Sequence, residues 1–139
     1  PELVEIELTE ASSLESLDNF VIFTKLMRNN NIPISIDDFG TGYSSLNNLK
    51  RMDVDIIKLD KTFIDPIRKN EQSDNNFIKN IVHMINELGM EVVAEGVETA
   101  NQVDFLKEIS CKSAQGYLFD HPLPVEEYEK RLCVKRFYE

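Results

Sequence analysis

The stretch Ile36-Asp37-Asp38-Phe39-Gly40-Thr41-Gly42-Tyr43-Ser44-Ser45-Leu46, IDDFGTGYSSL, ends an apolar run on two adjacent carboxylates, then gives two glycines and an amphipathic start. Asp is disfavoured in strands, and close carboxylates raise each other's pKa unless positive charge offsets them. A metal ion is the obvious source of that charge, provided the rest of the chain supplies ligands at matching places. Locally the stretch reads as a strand, a polar turn and a short helix over roughly Ser44 to Lys50.

The same unit recurs along the chain. Leu3 to Leu8 reads as a strand ending in Thr9-Glu10. Ser12 and Glu15 then have capping-box spacing, ahead of a helical apolar stripe at Leu17, Phe20, Val21, Phe23 and Met27 that dies in Asn29-Asn30-Asn31. Ile32 to Ile36 and Val54 to Leu59 are further strands. Arg68 to Asn76 reads as a loop, followed by a helix with Phe77, Ile81, Met84, Ile85 and Leu88 on one side and Gly89 as its stop. Val92 to Ala94 is a fourth strand. Thr99 and Gln102 suggest a second capping box, opening a helix with Val103 and Leu106 inward. A fifth strand is expected near Ser113 to Leu118, and Pro122 and Pro124 announce a last helix carrying Val125, Tyr128 and Leu132.

Strand-helix alternation of this kind favours parallel sheet. Glu7, Asp37, Lys58, Glu95 and Gln115 each fall at or near the C-terminal end of a different predicted strand. In a parallel barrel those ends share one face, where catalytic groups meet; an open sheet would not easily gather all five. The expected fold is therefore α/β, a partial TIM-like (β/α) barrel. Five strands can be counted, whereas the closed barrel has eight. The chain thus reads as the latter part of a larger domain, with sheet edges that must be covered, and self-association is expected.

Bulk properties narrow the function. The 139 residues, 42% hydrophobic, suffice for one core. Cys111 and Cys133 make neither a disulfide scaffold nor a cysteine metal site, so a reducing, cytoplasmic setting is expected. No apolar run spans a bilayer and the first residues lack a signal-peptide pattern; membrane attachment would lie outside this sequence. A net charge of -10 disfavours a DNA or RNA polymer as partner, while a small anionic substrate fits if cations reverse the local field.

Each candidate residue has a plainer reading beside the functional one. Glu7 and Asp37 are hard oxygen ligands suited to Mg2+ or Mn2+, or strand-end charges in water. Asp38 can complete a second ion site, or order Gly40-Thr41-Gly42 through an Asx turn. These glycines lack the third glycine of a dinucleotide fingerprint and instead let the loop turn close to the carboxylates. Ser44 and Ser45 read as helix caps. Glu10 steadies that loop or sits at a helix start on the surface. Lys58 is costly to bury without a partner, which Asp60 or the metal carboxylates can supply; functionally it holds a water or phosphoryl oxygen. Glu95 can act as general base, and Gln115 can orient the water or pack as a core amide. His83 and His121 form no zinc motif, and Met27, Met52, Met84 and Met90 read as packing. Metal-assisted phosphodiester hydrolysis suits this set; proton abstraction beside a carboxylate, with Lys58 as base, is the rival.

Taken in order, ELTE from Glu7, DDFGTGYSSL from Asp37, KLD from Lys58, AEGVET from Ala94 and QGYLF from Gln115 resemble the EAL-domain family over essentially the whole chain. The resemblance implies an eight-stranded TIM-like barrel with one strand reversed, and hydrolysis of cyclic di-GMP to linear pGpG with Mg2+ or Mn2+, two ions in the complete domain. By position it implies metal contacts at Glu7, Asp37 and Asp38. It implies water positioning and activation by Lys58 and Glu95, a polar role beside the cluster for Gln115, and loop support by Glu10. Asn31 stands where a glycine is common, a change that Asn tolerates. The family's namesake segment and an asparagine ligand lie upstream of the part matched, so residues 1–139 read as the C-terminal portion of the domain. The expectation is a competent parent phosphodiesterase, with sensory or cyclase-like domains upstream, and little activity in this fragment alone. A non-catalytic module that binds cyclic di-GMP or a protein partner in signalling is the alternative.

Overall fold

A computed structural model describes residues 4–10, 17–41, 46–51, 53–67 and 72–132. Its elements alternate as the sequence suggests: β1 (Ile6–Thr9), α1 (Leu17–Asn29), β2 (Ile34–Phe39), α2 (Leu46–Arg51), β3 (Ile56–Leu59), α3 (Lys61–Ile64), α4 (Gln72–Glu87), β4 (Glu91–Ala94), α5 (Ala100–Glu108), β5 (Ser113–Ala114) and α6 (Val125–Leu132). The strands form one five-stranded sheet in the order β1-β2-β3-β4-β5, and every pairing is parallel. Each strand lies beside its predecessor. A doubly wound sheet reverses its strand order at a switch point; this one never does, which is the winding of a barrel.

Register separates the two faces of the sheet. Leu8 pairs with Ile36, Ile36 with Ile57, Ile57 with Val92, and Leu59 with Ala94. Directly opposed residues share a face, so these side chains make one apolar layer. All but the partly buried Leu8, which packs against it, belong to a single buried cluster with Phe20 of α1, Ile78, Val82 and Ile85 of α4, and Leu106 of α5. The alternate residues, Glu7, Ser35, Lys58 and Val93 among them, form the other face. One face is core; the other carries the chemistry.

Three helices stop in the same way before the strand that follows. After α1 the N–H groups of Asn31 and Ile32 reach the carbonyls of Arg28 and Met27. After α4, Gly89 and Met90 reach Asn86 and Ile85; after α5, Ser110 and Cys111 reach Lys107 and Leu106. Asn31, Gly89 and Ser110 all take positive φ, of 56°, 82° and 63°, as this double hydrogen-bond stop requires. Asn31 thus occupies the backbone region expected of the glycine it replaces. The capping box of α5 is also formed, with the Thr99 side chain accepting from the Gln102 N–H and the Gln102 side chain accepting from that of Thr99.

Some expectations are corrected. The loop expected over Arg68 to Asn76 is already helix from Gln72, because Ser, Asp and Asn are tolerated in a first turn whose N–H groups are unpaired. In α4 the buried face is Ile78, Val82 and Ile85, while Phe77 is 60% exposed. Phe77 precedes the i, i+4, i+7 stripe by one residue, about 100° around the helix, and stacks on Phe63 at 6.2 Å instead. The fifth strand is shorter than Ser113 to Leu118, since after Ala114 the chain turns against Val97. On α6, Val125, Tyr128 and Leu132 are all exposed. The proposed caps at Ser12, Glu15, Ser44 and Ser45, together with Met52 and Cys133, lie outside the described residues.

Replacing Thr99 by Ala removes one acceptor from the start of α5. Urea unfolding of Thr99→Ala should show a loss of about 1 kcal/mol; no change would mean that the capping box contributes nothing.

Candidate functional site

The open face of the sheet converges on one ammonium. Lys58 Nζ lies 2.8 Å from Glu95 Oε1, 3.0 Å from Glu7 Oε1 and 3.3 Å from Asp37 Oδ1. These carboxylates come from β1, β2 and the end of β4, so four consecutive strands meet at a single positive charge. The Lys58 side chain is 10% exposed. Burial works against its charge, but close contact with Glu95, the hydrogen bond to Glu7 and the charge of Asp37 outweigh that, and its pKa is held well above the ordinary lysine value. Asp60, the other partner considered for Lys58, is used elsewhere. It caps α3, accepting from the Thr62 N–H and hydroxyl at 2.9 and 2.6 Å, and the hydroxyl contact lowers its pKa.

Adjacent Asp37 and Asp38 part company because the backbone turns between them. The β2–β3 register shifts between Ile36 and Phe39, and Asp38 takes φ 54°. Asp37 points to Lys58 and accepts from the Asp38 N–H at 3.0 Å. Asp38 is exposed and is not an ion-pair partner of Lys58 among the described residues. Its main-chain carbonyl, rather than an Asx turn, orders the loop: it accepts from both the N–H and the hydroxyl of Thr41, at 3.2 and 2.9 Å. Glu10 is buried, and its Oε2 accepts from the Gly40 N–H at 2.8 Å. Gly40 has φ +98°, and a Cβ there would fall 2.0 Å from the Phe63 ring. The loop is thereby held between a carboxylate and an aromatic ring. Gly42 lies outside the described residues.

Glu95 also faces a second space. A cavity of about 490 Å3 is lined by Glu95, Gln115, Lys61, Glu98, Tyr117 and His121, with other residues. Lys61 pairs with Glu98 at 2.6 Å, and Tyr117 stacks on His121 at 4.1 Å. Gln115 is exposed just beyond β5. Its N–H donates to Ala94 and its carbonyl accepts from Val97, while the Leu118 N–H donates back to Val97. Gly116 sits inside this clasp, and a Cβ on it would meet the Val97 main chain at 2.1 Å. Sequence reasoning passed over Lys61, Glu98 and Tyr117, and set His121 aside only because it forms no zinc motif; their signal was their place inside or beside the KLD, AEGVET and QGYLF runs. His83 is exposed on α4. Cys111 is buried and free, its thiol pKa raised by burial.

The donor set suits a hard divalent cation: three carboxylates, from β1, β2 and the end of β4, converge there. Glu95 Oε1 is buried and stands 2.8 Å from the Lys58 ammonium. Yet the carboxylates are disposed around the ammonium rather than around each other. Among the described residues no three His, Cys, Asp or Glu side chains form a group that could enclose an ion.

A five-stranded parallel arc with acidic and basic groups at its C-terminal rim is part of a TIM-like barrel. A model of the EAL domain matches residues 1–122, and the chain belongs to that family. The cyclic di-GMP phosphodiesterase NbdA of Pseudomonas aeruginosa is 42% identical over 96% of this chain and 17% of its own length. The EAL domain protein of Listeria monocytogenes superposes with a TM-score of 0.85 at 37% identity, over 96% of this chain and 52% of that one. BlrP1 of Klebsiella pneumoniae, solved as a manganese and cyclic di-GMP complex, gives 0.79 at 35% identity, over 88% and 31%. The chain spans 17%, 16% and 18% of the length of three curated relatives.

Gly116→Ala sets a new methyl against rigid main chain. Thermal melting should show a loss of at least about 2 kcal/mol, whereas a wild-type melting curve would show that the clasp yields.

Proposed function

We propose that the domain containing these residues hydrolyses one phosphodiester bond of cyclic di-GMP, giving linear pGpG. The observation that carries the reading is the convergence of Glu7, Asp37 and Glu95 on Lys58 at one rim of the sheet. The cyclic di-GMP phosphodiesterase name of NbdA and the ligands of BlrP1 support the substrate.

Glu7, Asp37 and Asp38 would hold Mg2+ or Mn2+, two ions in the complete domain. Such ions supply charge to the phosphate oxygens and make water acidic enough to attack near neutral pH. The remaining roles belong to the chain. Glu95 takes the proton of the attacking water as general base. The Lys58 ammonium holds the water or a phosphoryl oxygen and stabilises the charge that develops as the P–O bond to the leaving group breaks. Gln115, which lines the same cavity as Glu95, orients the polar ligand. Glu10, through the Gly40 N–H, keeps the Asp37-Asp38 loop in place.

Residues 1–139 alone turn over little, because an incomplete cluster cannot fix ions and water. The site of action is the cytoplasm, where the Cys111 thiol stays reduced. Among the described residues no helix is long and apolar enough to cross a membrane. β1 and β5 end the sheet, and such edges pair readily with a second copy.

The assay is cyclic di-GMP hydrolysis by the full-length domain with Mg2+ or Mn2+. Wild type should produce pGpG and Glu95→Gln should fall by about 10²- to 10⁴-fold; binding without turnover in both would assign a signalling module instead. For the 139 residues, size-exclusion with light scattering should give the mass of two chains, and a clean monomer rejects the pairing.

A further inference from the structure

The Lys58 ammonium occupies the one point that the three carboxylates share. Oxygens from Glu7, Asp37 and Glu95 stand 2.8 to 3.3 Å from Nζ, whereas Mg2+ draws its ligands to about 2.1 Å and Ca2+ to about 2.4 Å. The oxygens are close enough to converge on an ion and too far apart to enclose one while the ammonium stands between them, in keeping with the lack of an ion-enclosing group among the described residues. One orphaned atom marks the same face: the Ser35 hydroxyl is buried with no hydrogen-bond partner among the described residues, on a residue with no exposed surface that sits directly across the β1–β2 ladder from Glu7.

We propose that Lys58 is a resident counter-cation that competes with divalent metal for the Glu7 and Asp37 carboxylates, so that ion entry requires its displacement. The inference rests on the metal-dependent reading of this site and adds a regulatory property to it. Without metal, Lys58 offsets the mutual repulsion of three carboxylates. With metal, a single positive charge beside a double one weakens ion binding. Lys58 therefore stabilises the metal-free fold and limits metal affinity, so the site loads only when the free ion concentration is high enough to move the lysine aside. Linkage makes the competition reciprocal: whatever weakens the hold of Lys58 on the carboxylates tightens the hold of metal.

The test is Mn2+ binding to the full-length domain that contains these residues, read as loss of the free-ion electron paramagnetic resonance signal, with thermal melting as a second readout. Lys58→Met should melt below wild type without metal, bind Mn2+ roughly tenfold tighter or more, and recover its melting temperature on Mn2+ addition. Lys58→Arg, which keeps the charge, should bind like wild type. A folded Lys58→Met that binds no tighter than wild type overturns the competition while leaving the metal reading intact. Loss of Mn2+ binding in every form, Lys58→Met included, overturns both. If Lys58→Met folds only with Mn2+, the metal midpoint of folding supplies the affinity, and failure of Mn2+ to restore its fold counts against the proposal.

Discussion

The ion-pair group centred on Lys58 ties β1, β2, β3 and the end of β4 to one place on the open face of the sheet. Removing a lysine ammonium from water is costly unless opposite charges surround it, and here carboxylates from three other segments do so. The arrangement needs parallel strands in consecutive order, because only then do their C-terminal ends meet on the same rim. It also needs the opposite face to be wholly apolar, so that helices can cover one side and leave the other to polar groups. Fold and site therefore depend on the same alternation of side chains.

Around that group, main-chain geometry is fixed by small residues and one ring. Gly40 lies between Glu10 and Phe63, and Gly116 lies within the clasp made by Val97. The first holds the loop after Asp37-Asp38; the second joins the loop after Glu95 to the turn after Gln115. Two regions distant in sequence are thus brought into fixed relation without a covalent link, and both border Glu95 or Asp37.

Much of this was legible in the letters. Period-two apolar runs at Ile34 and Ile57, the Thr99–Gln102 spacing, Gly89 and Asn31 carry local physics that tertiary contacts did not override. The burial of Lys58 could be anticipated, since a lysine inside VDIIKLD has few other places to go. What was not legible depended on rotation and reach. Phe77 has the chemistry of a core residue, but one step around the helix sends it to Phe63 instead of the sheet. Strand alternation already aims the adjacent Asp37 and Asp38 apart, but the positive φ of Asp38 and the register shift beside it are features that no spacing reveals. Asp60 was a natural partner for Lys58 by proximity in sequence, yet its neighbour Thr62 claims it. The cavity beside Glu95 required the turn after β5 to fold back on Val97.

The consecutive strand order has a kinetic meaning as well. Because every sheet neighbour is also the previous strand along the polymer, each closure spans a single β-α-β crossover, whose entropy cost grows only slowly with its length. Assembly can proceed from one β-α-β unit to the next, with no strand waiting for a distant segment to be synthesised. A ribosome releasing such a chain would expose one unsatisfied margin at a time, and that travelling margin is where a chaperone or a misplaced copy would first take hold.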